Sequence, residues 1–236
     1  TSMIFRYLKE ENNNQELILL SDGSPGQNKN FVMVYFCYML VHCFGMFKRI
    51  THLFPMRGHS FLPNDQDFSI IAKKKRKMCV ETPEEWNEII SSCRSHPSPF
   101  KITTMHHQDF HNVKEAVQTY FRKPAEMKAM KLKGLRMYRI DRESPFIGVR
   151  DSYSGPWRSI NIRNRSAIPQ ELSFPRMYNE PPKIKPSKIQ DLKKLYGLLT
   201  PKSRQFFETL PQEDREVNII AEIDIDNSDN SSGEDN

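Results

Sequence analysis

Residues 31–47 run without a formal charge, bounded by Lys29 on one side and by Lys48 and Arg49 on the other. A stretch that is apolar all round must be buried all round. Its length reaches the lower limit of a membrane span, about 17–25 residues. His42, Gly45 and two cysteines interrupt it, however, and short apolar runs flank it at 17–20 and 50–56. Strand, long apolar helix, strand is the order of a parallel crossover. The segment is therefore read as the core helix of an α/β domain and not as a membrane span. Residues 17–20, with no polar alternation, are predicted to form an interior parallel strand buried on both faces.

Other elements follow from spacing. Met3, Ile4, Tyr7 and Leu8 share one helical face. A helix is expected from Pro63 or Asn64 into the basic run Lys73-Lys74-Lys75-Arg76-Lys77, and Thr82-Pro83-Glu84-Glu85 is a capping box that opens another. Residues 100–105 read as a strand and 109–121 as a helix. Three short runs at 135–140, 146–150 and 159–162 read as a small antiparallel β unit. Past a proline-rich connector at 169–186, two helices at 187–199 and 201–210 form a hairpin, with Thr200 placed to cap the second. The expected organisation is a core fragment over 1–125, the β unit with the helical hairpin over 126–212, and an acidic tail over 213–236 that carries too little apolar surface to order.

Charge is unevenly placed. Residues 213–236 hold nine acidic side chains and one basic one, and the other 212 residues hold 34 basic and 20 acidic ones, a net +14. Such a basic body favours phosphate-bearing partners through counterion release, although an excess of this kind also serves solubility alone. Four cysteines without paired spacing, in a chain that is 37% apolar, argue for a hydrophobic core in a reducing compartment and against a disulfide scaffold.

The candidate chemistry lies where strands end. Ligands of open α/β sheets gather at the carboxyl ends of the strands. Asp22 closes the first apolar run, and His59 and Asp65 lie just past the second. If the two strands are neighbours, these carboxylates meet at one rim and offer hard oxygen ligands to Mg²⁺ or Mn²⁺, the ions of two-metal phosphodiester chemistry. Plainer readings stand beside this one. Asp22 also suits a turn cap, Asp65 and Asp67 suit the first turn of a helix, and His59 suits a loop hydrogen bond. The run Lys73–Lys77 suits a phosphate clamp, a nuclear-import signal or a solvated helix end.

Leu19-Leu20-Ser21-Asp22 with Gly26-Gln27-Asn28-Lys29-Asn30, then Gly58-His59-Ser60-Phe61-Leu62-Pro63-Asn64-Asp65 with Asp67-Phe68, resembles an uncharacterised domain family of transposon-derived proteins, abundant in arthropods and other invertebrates. Thr82–Trp86, Asp109-Phe110, Ser144-Pro145-Phe146 and Phe206-Phe207 extend the resemblance over most of residues 1–211. Those proteins are similar to integrase-like transposases of the ribonuclease-H fold, whose acidic triad holds two metals. The resemblance implies a partial ribonuclease-H-like sheet with flanking helices. It makes Asp22 and Asp65 the second and third metal ligands and sets His59 beside them. On this reading Lys73, Lys74, Lys75, Arg76 and Lys77 are expected to contact DNA phosphates, in a nuclear protein.

Two departures bear on activity. Gly23, Ser24 and Pro25 follow the strand aspartate where the family pattern differs. The first acid is also missing upstream, and Glu10, Glu11 and Glu16 are poor substitutes. The expectation is an N-terminally truncated remnant that acts on DNA without cleaving it. A non-catalytic nucleic-acid-binding or adaptor module is the alternative.

Overall fold

The computed structural model describes residues 2–10, 15–56, 58, 62–164, 172 and 174–213, without the side chains of residues 5, 9 and 10. Two compact units contain them. The first comprises Thr1–Lys74 and Lys101–Asn179, and the second Lys75–Phe100 and Glu180–Asn236.

The first unit is built on the predicted crossover. Helix α1 (Ser2–Glu10) leads to β1 (Glu16–Leu20), then α2 (Phe31–His42), β2 (Arg49–Leu53) and α3 (Pro63–Lys75). After the short α5 (Val113–Val117) come β3 (Met137–Asp141), β4 (Ile147–Arg150) and β5 (Arg158–Ile160). The five strands form one sheet in the order β1-β2-β3-β4-β5. β1 and β2 are parallel, with Leu17 beside Ile50 and Leu19 beside His52, and the remaining pairs are antiparallel.

The local causes are readable. Asn30 caps α2 by accepting the Met33 N–H at 2.9 Å, and Gly45, at φ +59°, turns the chain away after it. Every residue from Met33 to Val41 is buried. Such a helix needs partners on several sides. It finds the sheet on one, through Ile50, Ile140, Ile147 and Val149, and Val113, Val117 and Phe121 on another. Tyr35 stacks on Phe121 with ring centroids 4.4 Å apart. Strands β2, β3 and β4 alternate buried and half-buried residues, so a single sheet face meets the core.

The opposite face is polar and aromatic. Arg49 pairs with Glu16 at 3.0 Å and with Asp141, which also accepts from Arg139 at 2.8 Å. Trp157 lies over Gly148, where an added Cβ would come within 3.0 Å of the indole ring. The guanidinium groups of Arg139 and Arg150 sit 4.5 and 4.2 Å from that ring's centre.

In the second unit, Thr82 and Glu85 exchange the capping-box hydrogen bonds that open α4 (Pro83–Ser92). Helices α6 (Pro186–Leu195) and α7 (Pro201–Glu208) follow, and Thr200 caps α7. The Glu81 carboxylate accepts from the Thr200 amide and hydroxyl, both at 3.0 Å, and so ties the α7 cap to the chain entering α4. A hydrogen bond from the Ser203 side chain, and then those from Thr200, hold its carboxyl below the usual range.

Four expectations are corrected. β1 is an edge strand, not an interior one, with Ile18 69% and Leu20 50% exposed. Its core face, with Leu17 and Leu19, packs against the core, whereas Ile18 and Leu20 on the other face stay largely exposed. Residues 100–105 form no strand, because no described strand lies beside them. The helix expected over 109–121 shrinks to α5: Asn112 caps it late, and Phe121 leaves to bridge Arg163. The three strands expected as a separate β unit instead continue the sheet from β2 onward, since Tyr138 and Ile140 carry the same core face. As expected, residues 31–42 form a core helix. Among the described residues no helix is long and apolar enough to cross a membrane.

Candidate functional site at the carboxyl rim of the sheet

Asp22, at the carboxyl end of β1, lies in an exposed loop of which it is itself the anchor. Its Oδ1 accepts from the Ser24 amide at 3.3 Å and from Asn28 Nδ2 at 2.8 Å. The Ser24 carbonyl in turn accepts from the amides of Gln27, Asn28 and Lys29. Asn30 Nδ2 donates to the Pro25 and Gln27 carbonyls at 3.1 and 3.2 Å. Asp22, Asn28 and Asn30 therefore spend these side-chain hydrogen bonds within the loop itself.

Asp65 does the same at the start of α3. Its Oδ2 accepts the Leu62 amide at 2.8 Å, while its own amide donates to the Leu62 carbonyl. The plain first-turn reading therefore accounts for one oxygen of each carboxylate. His59 lies outside the described residues, as do Arg57, Ser60 and Phe61 of the same motif. No three metal-ligating side chains converge among the described residues, so those residues alone do not fit a two-metal centre. Lys73, Lys75, Arg76 and Lys77 are exposed and Lys74 half-exposed, at the end of α3 and just past it.

The same rim holds a buried polar chain that sequence reasoning did not single out. Ser21 Oγ lies 2.8 Å from His52 Nε2, and His52 Nδ1 lies 2.9 Å from the Tyr138 hydroxyl. That hydroxyl donates to Cys37 Sγ at 3.5 Å. His52 and Tyr138 are buried on β2 and β3, and Cys37 within α2. Each ring nitrogen of His52 therefore faces one hydroxyl, Nε2 that of Ser21 and Nδ1 that of Tyr138, and the Ser21 hydroxyl also donates to the Asp22 carbonyl at 3.2 Å. The imidazole is neutral. Burial, with the Lys29 ammonium nearby, lowers its pKa to about 4. Burial likewise pushes the Cys37 thiol up to about 12 and the Tyr138 hydroxyl well above its ordinary value.

A serine on a histidine suggests a nucleophile, but an imidazole of pKa about 4 is a weak base, and the group behind it is a neutral phenol instead of a carboxylate. The chain is better understood as a pin joining the end of β1 to β2, β3 and α2. Ser21→Ala leaves Nε2 buried without a partner. It is expected to cost about 1–3 kcal/mol in urea unfolding, whereas Ser21→Cys, which keeps a weak donor, costs less.

Lys29 is the second unforeseen member. Its buried ammonium donates to the Lys133 and Leu135 carbonyls at 3.0 and 2.6 Å and lies 4.8 Å from the Phe54 ring centre. It ties the Asp22 loop to the chain entering β3. Sequence gave no sign of this, because lysine is seldom buried. The position of His52 was legible: it alternates with Ile50 and Phe54 on the inward face. Its polar partners, Ser21 past the end of β1 and Tyr138 on β3, were not.

A family profile described as "Domain of unknown function (DUF7869)" matches residues 1–144, which include β1 to β3, the Asp22 loop and α3. No curated protein and no solved structure matches the chain.

Proposed function

The chain belongs to the DUF7869 family, a domain of unknown function, and from that premise we propose that it is a transposon-derived, ribonuclease-H-like domain that retains nucleic-acid binding and has lost metal-dependent strand cleavage. The β1–α2–β2 parallel crossover, continued by antiparallel strands, supports the descent. Asp22 and Asp65 descend from ligands for Mg²⁺ or Mn²⁺, with His59 once orienting a ligand or the attacking water. In this chain the two carboxylates serve as turn anchors, each with an oxygen already accepting from a backbone amide.

One observation carries the binding half of the proposal. Lys73, Lys75, Arg76 and Lys77 are exposed together, and no acidic residue lies between Asp67 and Glu81 to neutralise them. Such a run meets DNA phosphates without reading sequence. It also suits nuclear import, which places the protein with its DNA.

The test uses the full chain and a fluorescein-labelled 20-base-pair duplex in anisotropy titrations from 50 to 200 mM salt. Five phosphate contacts give a slope of about −4 to −5 in log K against log salt. Replacing Lys73, Lys75, Arg76 and Lys77 by alanine is expected to flatten that slope by about 3–4. EDTA and Asp65→Ala leave binding unchanged. A wild-type chain that binds no duplex overturns the reading. Mg²⁺-dependent cleavage that vanishes in Asp22→Ala overturns the loss of cleavage.

A further inference from the structure

The outer edge of β1 has no assigned use. Gln15 O accepts from the amides of Lys48 and Arg49, and the Ser21 amide donates to Leu53 O at 3.2 Å. The odd-numbered backbone groups of β1 therefore turn toward β2. By the alternation of a strand, the N–H and C=O groups of Glu16, Ile18 and Leu20 turn outward. No described strand or isolated bridge meets them. Glu16–Leu20 contains no lysine, proline or bulge, and its one charged side chain, Glu16, is held by Arg49 of the adjacent strand. Its outward-facing apolar side chains, Ile18 and Leu20, are mostly exposed.

We propose that this edge pairs with the same edge of a second copy of the chain, antiparallel about a twofold axis through Ile18. In that register Ile18 faces Ile18 of the second copy, and Glu16 faces Leu20 in both directions. All three outward-facing residues then form pairs that exchange both N–H···O bonds, about six backbone hydrogen bonds across the axis. Ile18 meets an apolar partner on the open face, and Leu17 meets Leu19 on the core face. Charge selects the register. A slip of two residues one way sets Glu16 against Asp22, and a slip the other way leaves Leu20 beyond the paired strand. In the proposed register no like charges oppose, and Arg49 of the same copy already holds Glu16 at 3.0 Å. The contact closes on itself, giving a dimer and not a fibre.

Sedimentation velocity on the full chain from 1 to 200 µM tests the proposal. The expected result is a monomer–dimer equilibrium with no larger species. Ile18→Lys, which sets two like charges face to face on the axis, weakens dimerisation at least tenfold. Ile18→Pro removes the outward N–H without touching the bonds to β2 and does the same, while both variants keep cooperative thermal unfolding. Without any substitution, hydrogen exchange at the Ile18 and Leu20 amides slows as concentration rises. A monomer throughout, which would leave the edge to a strand of another protein, overturns the proposal. So does a dimer indifferent to both substitutions, or an open series of higher oligomers.

Discussion

Lowering the pH from 7 to 4 is expected to remove about 3 kcal/mol of folding free energy through His52 alone. Its imidazole titrates near 6.5 in the unfolded chain and at about 4 in the folded one, where burial and then Lys29 oppose the charge. Between those values the unfolded state binds the extra proton. Stability is therefore complete above about pH 6.5 and falls as the pH drops toward 4. His42 adds to the loss with the same sign, its pKa lowered by burial and then by Arg163 and Arg142. Urea unfolding at pH 7, 5.5 and 4 measures the effect. His52→Gln, which cannot charge, is expected to be less stable at pH 7 but to lose much less between pH 7 and 4. Equal slopes for wild type and variant would remove His52 from the account.

The second large effect separates two leucines. Leu40→Ala is expected to cost about 2–5 kcal/mol, and Leu198→Ala to stay within about 0.5 kcal/mol of wild type. Leu40 sits in α2 with 0% exposure, packed where neighbours cannot collapse into the space left by its side chain. Leu198 is 80% exposed, so its truncation removes little buried area. Chemical denaturation of the two variants side by side checks both values. The contrast matters because the residues are chemically identical, and only the surroundings of each decide its weight.

Those surroundings were legible in part. The absence of charge over residues 31–47 required an enclosed helix, and Thr82-Pro83-Glu84-Glu85 and Thr200-Pro201 marked the starts of α4 and α7 to the residue. Caps and apolar runs are local: the groups that satisfy them lie within four positions. The candidate ligands were legible as positions but not as roles. Asp22 and Asp65 do stand at a strand end and a helix start, and what each accepts there is its own neighbouring backbone.

What the sequence by itself determined is therefore the crossover β1–α2–β2, the capped helices and the basic body, because periodicity, capping chemistry and net charge are properties of neighbouring residues. Only the tertiary structure decided that β1 stands at an edge, that β3 to β5 continue the same sheet, and that Ser21, His52, Tyr138 and Cys37 share one line of hydrogen bonds. Each of those depends on which distant segment lies alongside. The buried polar partners lie 31 to 106 residues apart, as with Ser21 and His52 or Lys29 and Leu135, and β2 finds β3 across more than 80. At that range the choice belongs to the packing of the whole unit, and no local pattern encodes it.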